Sequence, residues 1–159
     1  MFKKLFGPKP IDFVSPMSGE IIAMEDVNDP VFSEKTIGDG FAIKINEGDV
    51  YSPVDGVVVA VFPTNHAIGI KSDDRNEFLI HIGLDTCTHE GRGLKSLVKI
   101  DDRVSKGDKL VEVDHDYFKE NNVDMTSPII VTNLHGRLPI KLKEGSVSVG
   151  DAEILAIKV

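Results

Sequence analysis

Short runs of β-branched and aliphatic residues recur along the whole chain, each closed by glycine, proline or a polar cluster. Runs of that length and spacing predict strands in an all-β fold, an antiparallel β-sandwich or barrel. The expected strands are Gly19 to Met24, Gly40 to Ile45, Gly56 to Phe62, Lys109 to Val113, Ile129 to Thr132 and Glu153 to Val159, together with a hairpin in the middle of the chain. Helix is scarce, one or two short pieces at most. The best segment is Asp114 to Asn121, with Asp114 as its cap and Asn121-Asn122 as its stop.

The pattern also repeats. Ser15-Pro16-Met17-Ser18-Gly19-Glu20-Ile21 is echoed by Ser52-Pro53-Val54-Asp55-Gly56-Val57-Val58, and Val104-Ser105-Lys106-Gly107-Asp108 by Val147-Ser148-Val149-Gly150-Asp151. Each copy reads as a turn with glycine where a positive φ is affordable, followed by a strand. Two related halves folded on each other predict one sandwich. No linker or low-complexity stretch divides them, so residues 10–159 are expected to form one domain behind a flexible tip at 1–9.

The central hairpin holds two histidines. Thr64-Asn65-His66-Ala67-Ile68-Gly69-Ile70 and Phe78-Leu79-Ile80-His81-Ile82-Gly83-Leu84-Asp85-Thr86 flank the polar run Lys71 to Asn76. A turn centred between Asp73 and Asp74 pairs residues whose numbers sum to 147, which sets His66 directly across from His81. Their Cβ atoms would then lie about 4.5 to 5.5 Å apart. Thr64 and Phe62 precede His66 in the same phase, and Ile68 with Leu79 would form an apolar floor. A loop of odd length would shift the pairing by one residue and send the two rings to opposite faces.

Composition narrows the function classes. The net charge of -8, with 18 Lys and Arg against 26 Asp and Glu, argues against a nucleic-acid surface and favours partners with basic patches. No apolar run approaches the roughly 18 residues of a membrane span. The start, Met1 to Pro8, has no signal-peptide core, and at most weak peripheral membrane contact is expected of it. The single cysteine excludes an internal disulfide and fits a reducing cytosol.

Two facing imidazoles and a hydroxyl suit three kinds of work: holding a phosphoryl group, binding a metal, or acid–base catalysis. In the phosphoryl reading one neutral ring is the nucleophile and the other donates an N–H to phosphoryl oxygens, with Thr64 fixing the second ring's tautomer. Against this stands the plain alternative that a histidine in an apolar strand is packed and hydrogen-bonded and does nothing more. Sheet packing, however, gives no reason for two to face each other.

The remaining candidates are weaker. His89 follows Cys87 by two residues, a partial metal pattern without further ligands at zinc spacing. No flanking basic residue activates Cys87 as a nucleophile. His115 and His135 read as surface residues. Glu25 to Phe32 combines carboxylates with the exposed-looking Pro30, Val31 and Phe32, as an interaction rim would, and Asp85 closes the second histidine strand.

At these residues the chain resembles the glucose-type enzyme IIA components of the bacterial phosphoenolpyruvate-dependent sugar phosphotransferase system. The likeness runs from about Ile11 to Val159. It is carried by Ser15 to Glu20, Asp26 to Lys35, Gly38 to Gly40, Pro53 to Gly56, Thr64 to Ala67, His81 to Thr86 and Glu90 to Gly93. Leu79 and Leu94 stand where relatives often carry aromatic residues, and the tip ending at Pro8 departs from the terminal helix of some members.

The resemblance implies an antiparallel β-sandwich built on a duplicated hybrid motif. It implies that His81 is the phosphorylated nucleophile, His66 its phosphoryl-stabilising partner and Thr64 the support of His66. Asp29, Val31, Phe32, Phe62 and Asp85 would form the partner-binding surface. The implied partners are the HPr phosphocarrier, which donates to His81, and an enzyme IIB domain of a sugar permease, whose cysteine receives the phosphate. No independent small-molecule turnover and no required cofactor are expected. In some relatives the unphosphorylated protein regulates other targets, one through zinc shared by the residues matching His66 and His81 and a partner carboxylate.

Two rivals use other features. Ser15 to Gly19 and Val98 to Leu110 resemble biotinyl and lipoyl carrier domains, yet no hairpin tip presents a lysine for modification: Met24 precedes Glu25, and Val113-Asp114 precedes His115. A zinc hydrolase would need three protein ligands and a base, and only His66, His81 and Asp85 offer themselves.

Overall fold

The structure, a computed structural model, describes residues 7–159. Of the expected tip at 1–9, residues 1–6 lie outside the described residues, while Pro10 already bridges to Ala156. Thirteen strands follow: β1 Ser18–Ala23, β2 Asp39–Glu47, β3 Val50–Tyr51, β4 Gly56–Val61, β5 Ala67–Ser72, β6 Glu77–His81, β7 Leu94–Ser96, β8 Arg103–Val104, β9 Lys109–Val113, β10 Thr126–Val131, β11 Leu138–Lys141, β12 Gly145–Val147 and β13 Leu155–Lys158. Two short helices, α1 Pro30–Ser33 and α2 His115–Glu120, complete the set with two single turns of 3-10 helix. All pairings are antiparallel, as the strand spacing predicts.

Eight strands form one sheet in the order β12-β1-β2-β10-β6-β5-β4-β8; β3-β9-β7 and β11-β13 form smaller sheets. One apolar cluster joins all three. It takes Ile21, Phe41, Ile43, Ile68, Ile70, Phe78, Ile80 and Ile129 from the large sheet, Val50, Leu110 and Val111 from the three-stranded sheet, and Leu155 from β13. Burying aliphatic side chains from facing sheets supplies the main driving force of a sandwich.

The sequence repeat is a structural repeat. Ser15 Oγ donates to the Met17 carbonyl at 2.8 Å, and Ser52 Oγ donates to that of Val54 at 2.7 Å, both fully buried. The Asp151 carboxylate accepts from Ser148 N at 2.9 Å, as that of Asp108 does from Ser105 N at 2.8 Å. The halves also cross: Val14 N donates to Pro53 O, and Tyr51 N to Pro16 O. Gly19 and Gly56 are obligatory, since a Cβ on either would sit about 2 Å from a neighbouring strand's carbonyl oxygen, Lys44 O at 2.0 Å and Lys71 O at 2.2 Å.

Alternation along the large sheet creates a second apolar layer. Ile22, Ala42, Leu79 and Ile130, which alternate with residues of the main core, point to the opposite face. There they join Met24, Val27, Phe32 and Leu84, contributed mainly by the segment after β1 and the loop after β6.

Candidate functional site

The hairpin of β5 and β6 differs in register from the expected one. Ala67 faces His81, Ile68 faces Ile80 and Gly69 faces Leu79, so paired numbers sum to 148. The cause is the turn. Ser72 N donates to Asn76 O, leaving the three-residue loop Asp73-Asp74-Arg75, with Arg75 in the left-handed region at φ 70°. That is the three-residue hairpin form that normally favours glycine at its last position. The expected floor pair Ile68 and Leu79 is also corrected: Ile68 lies in the main core and Leu79 in the outer layer.

The rings meet nevertheless, because His66 does not belong to the strand. Phe62 N donates to Ala67 O and closes the four-residue loop Pro63 to His66, in which Asn65 N donates to Phe62 O and Asn65 takes φ 60°. His66 thus escapes the strict alternation that would point it at the core. The residue across from His81 is the small Ala67, and the His66 ring stands 5.0 Å from the His81 ring at 70°. Both rings are half-buried.

Each imidazole is held by its Nδ1. The Gly83 carbonyl can only accept, so His81 Nδ1 carries the hydrogen and donates it over 2.9 Å. In the neutral ring Nε2 therefore keeps its lone pair. His66 Nδ1 is hydrogen-bonded to Thr64 Oγ1, as the sequence reading expects of Thr64. When that hydroxyl donates, His66 Nε2 carries a hydrogen able to reach an anionic guest.

Burial pushes the His81 imidazole below its ordinary pKa of 6.5, and the neighbouring His66 adds to this. The Gly83 carbonyl and the charges of Asp29 and Asp85 pull the other way without reversing it. Burial lowers His66 as well. Two neutral rings near neutrality give one nucleophilic nitrogen and one donor.

The rim residues divide. Asp29 caps α1 by accepting from Val31 N at 3.0 Å, and both it and Asp85 lie within electrostatic reach of His81. Val31 is 46% exposed and Phe62 37% exposed, with the Phe62 ring 5.3 Å from that of His66. Phe32 is not part of an exposed trio as expected. It is only 5% exposed, because the single turn of α1 rotates it inward onto the His81 ring, 4.8 Å away.

Other candidates fall away. His89 is hydrogen-bonded through Nδ1 to the Tyr117 hydroxyl at 2.9 Å, and Cys87 is exposed on the 3-10 turn beside it. His115 is half-buried and donates from Nε2 to Gly48 O. No group of three or more His, Cys, Asp or Glu side chains forms a metal cage among the described residues. The histidine pair offers two donors, short of the three a catalytic zinc takes from its protein. Among the described residues no helix is long and apolar enough to cross a membrane. Sequence reasoning missed the Gly83 carbonyl, which as a backbone group leaves no mark in residue type.

A family model described as phosphoenolpyruvate-dependent sugar phosphotransferase system, EIIA 1, matches residues 11–136. The chain is 50% identical over 141 residues to the glucose-specific EIICBA component of Staphylococcus carnosus, covering 89% of this chain and 21% of that longer protein. It is 43% identical over 163 residues to the glucose-specific EIIA component of Staphylococcus aureus, covering 99% and 98% of the two chains. The solved structure of glucose permease IIA from Mycoplasma capricolum superposes with a TM-score of 0.83 at 42% identity, over 96% of this chain and 97% of that one.

Proposed function

The chain belongs to the EIIA 1 family of the phosphoenolpyruvate-dependent sugar phosphotransferase system, and from that premise we propose that it relays a phosphoryl group through His81 between two protein partners. The observation that carries the reading is the His66 and His81 ring pair at 5.0 Å, with His81 Nδ1 committed to Gly83. The proposed donor is phospho-HPr and the acceptor a cysteine of an enzyme IIB domain. The names of the relatives point to glucose as the sugar that the permease carries.

In the first step the His81 Nε2 lone pair attacks phosphorus while the N–P bond to the donor imidazole breaks, the electron pair returning to that donor. In the second a thiolate of the acceptor forms an S–P bond as the His81 N–P bond breaks. Little covalent work falls to the protein, so positioning and charge stabilisation dominate. The His66 Nε2–H would bind a phosphoryl oxygen in both steps, and Thr64 would hold it there. Docking on Val31, Phe62 and the flanking Asp29 and Asp85 would exclude water from the phosphohistidine. Residues 10–159 would act as one cytoplasmic carrier, since a single core cluster runs from Phe13 to Leu155. Any zinc would need a partner's carboxylate beside the two imidazoles.

The test is incubation with phosphoenolpyruvate, enzyme I and HPr. Acid-labile phosphate should appear on the wild type and vanish in His81→Ala. His66→Ala should take up phosphate yet deliver it poorly to a IIB cysteine; normal delivery by that variant would refute the role given to His66.

A further inference from the structure

Gly83 is clamped on both flanking peptides. Its own carbonyl receives the His81 Nδ1 hydrogen, and the Leu84 N–H of the same peptide donates to Asp124 O at 2.7 Å. On the other side the Ile82 carbonyl accepts from Thr86 Oγ1 at 2.6 Å, and the Gly83 N–H donates to Ser127 Oγ at 3.0 Å. Ser127 is fully buried on β10, a strand that pairs with β6, and its hydroxyl donates in turn to Met125 O at 3.0 Å. The Ser127 hydroxyl is thus spent once as acceptor and once as donor, and its acceptor side serves the one residue that holds His81.

We propose that Ser127 is a positioning residue for the relay, its buried hydroxyl anchoring the Gly83 peptide so that the His81 ring keeps Nδ1 protonated and presents Nε2 to the phosphoryl group. The chemistry follows from what the alternatives cost. Gly83 is buried with φ 71°, and nothing in its own side chain fixes the tilt of its peptides. Without the Ser127 oxygen the N–H of the Ile82–Gly83 peptide would be left unpaired in the interior, and a change of φ and ψ at Gly83 that relieves this carries the adjoining carbonyl off Nδ1 against the pull of the Leu84 N to Asp124 O bond. A neutral imidazole that loses its acceptor samples the other tautomer, whose Nε2 bears hydrogen and cannot attack. The Ser127 side chain is fully buried and bonded to Gly83 N and Met125 O, so its influence on His81 runs through the backbone.

This rests on the relay reading, and the experiment separates the two. Nitrogen-15 spectra of the histidine rings report the His81 tautomer without any partner, and phospho-HPr kinetics report transfer. Ser127→Ala should raise the population of His81 with hydrogen on Nε2 and lower the maximal phosphorylation rate about tenfold, with the KM for phospho-HPr unchanged. Ser127→Thr, which keeps the hydroxyl, should restore both. Should the alanine variant not fold, Ser127→Cys keeps a side chain of similar shape with only a weak sulfur acceptor and should show the same tautomer shift. A folded Ala or Cys variant with an unchanged His81 tautomer overturns the proposal, as does a Thr variant no better than alanine. A tautomer shift in a protein that phospho-HPr does not phosphorylate would sustain the role of Ser127 in holding the ring and sink the relay instead.

Discussion

The Phe32 ring lies 4.8 Å from the His81 ring, tilted 60° to it, and its other side is packed into the outer apolar layer with Leu84, Ala42 and Ile130. One side chain therefore closes a small core and forms a wall of the His81 imidazole. Desolvation is the largest influence depressing the His81 pKa, and Phe32 is part of the surface that excludes water there.

Phe32→Ala should accordingly do two things at once. Loss of a buried phenyl ring costs about 3 kcal/mol, visible as a lower midpoint in urea unfolding. The His81 pKa should rise toward its ordinary value as water reaches the ring, which proton-detected titration of His81 measures. A destabilised variant with an unmoved His81 would show that the ring is kept dry by other groups.

Gly83→Ala is expected to be the most damaging single methyl in the site. At φ 71° a Cβ would come within 2.6 Å of Thr86 Cγ2 and 3.0 Å of Met125 Sδ. The left-handed backbone and the clash together should cost about 2 to 4 kcal/mol. Thermal unfolding of this variant beside Gly107→Ala, a glycine whose Cβ would meet nothing within 4 Å, isolates the clash from the backbone penalty.

Much of this was legible in the residues. The paired Ser-Pro segments and their glycines marked the repeat, because a buried serine bonded two residues on and a glycine under a crossing strand leave chemical traces. The helix cap was legible too: Asp114 accepts from Tyr117 N at 3.1 Å. The hairpin register was not, since Arg75 occupies a left-handed position that carries no glycine to announce it. The histidine pair meets despite that register because a second irregularity, Asn65 at φ 60°, turns the chain just before His66, whose carbonyl still accepts from Ile82 N. Strands β3, β7, β8, β11 and β12 went unseen because each is short, with too few residues for an alternation to distinguish it from loop.

Thr64→Val tests the support of His66 with little change of shape. Valine keeps the branching and removes the hydroxyl bonded to His66 Nδ1. The His66 ring should then exchange tautomers, and delivery of phosphate to a IIB cysteine should fall about tenfold. Nitrogen-15 spectra of His66 read the first effect and transfer kinetics the second. A Val variant with wild-type delivery would remove Thr64 from the relay.

The pH dependence follows from the sign of the two histidine shifts. Both folded pKa values lie below 6.5 through burial, so the unfolded chain takes up protons at a pH where the folded one does not. Stability from this source is complete above the unfolded pKa of about 6.5 and is lost as pH falls from there toward the folded values. With His81 as the proposed nucleophile, its lowered pKa should let the rate of phosphate uptake hold its plateau at mildly acidic pH where a free imidazole would already be failing. Urea midpoints and phosphorylation rates measured between about pH 5 and 8 give both curves. In His66→Ala the stability loss should be smaller over the same window, because one of the two depressed groups is gone. A wild-type uptake curve centred at 6.5 would show that the pocket does not protect the ring from protons.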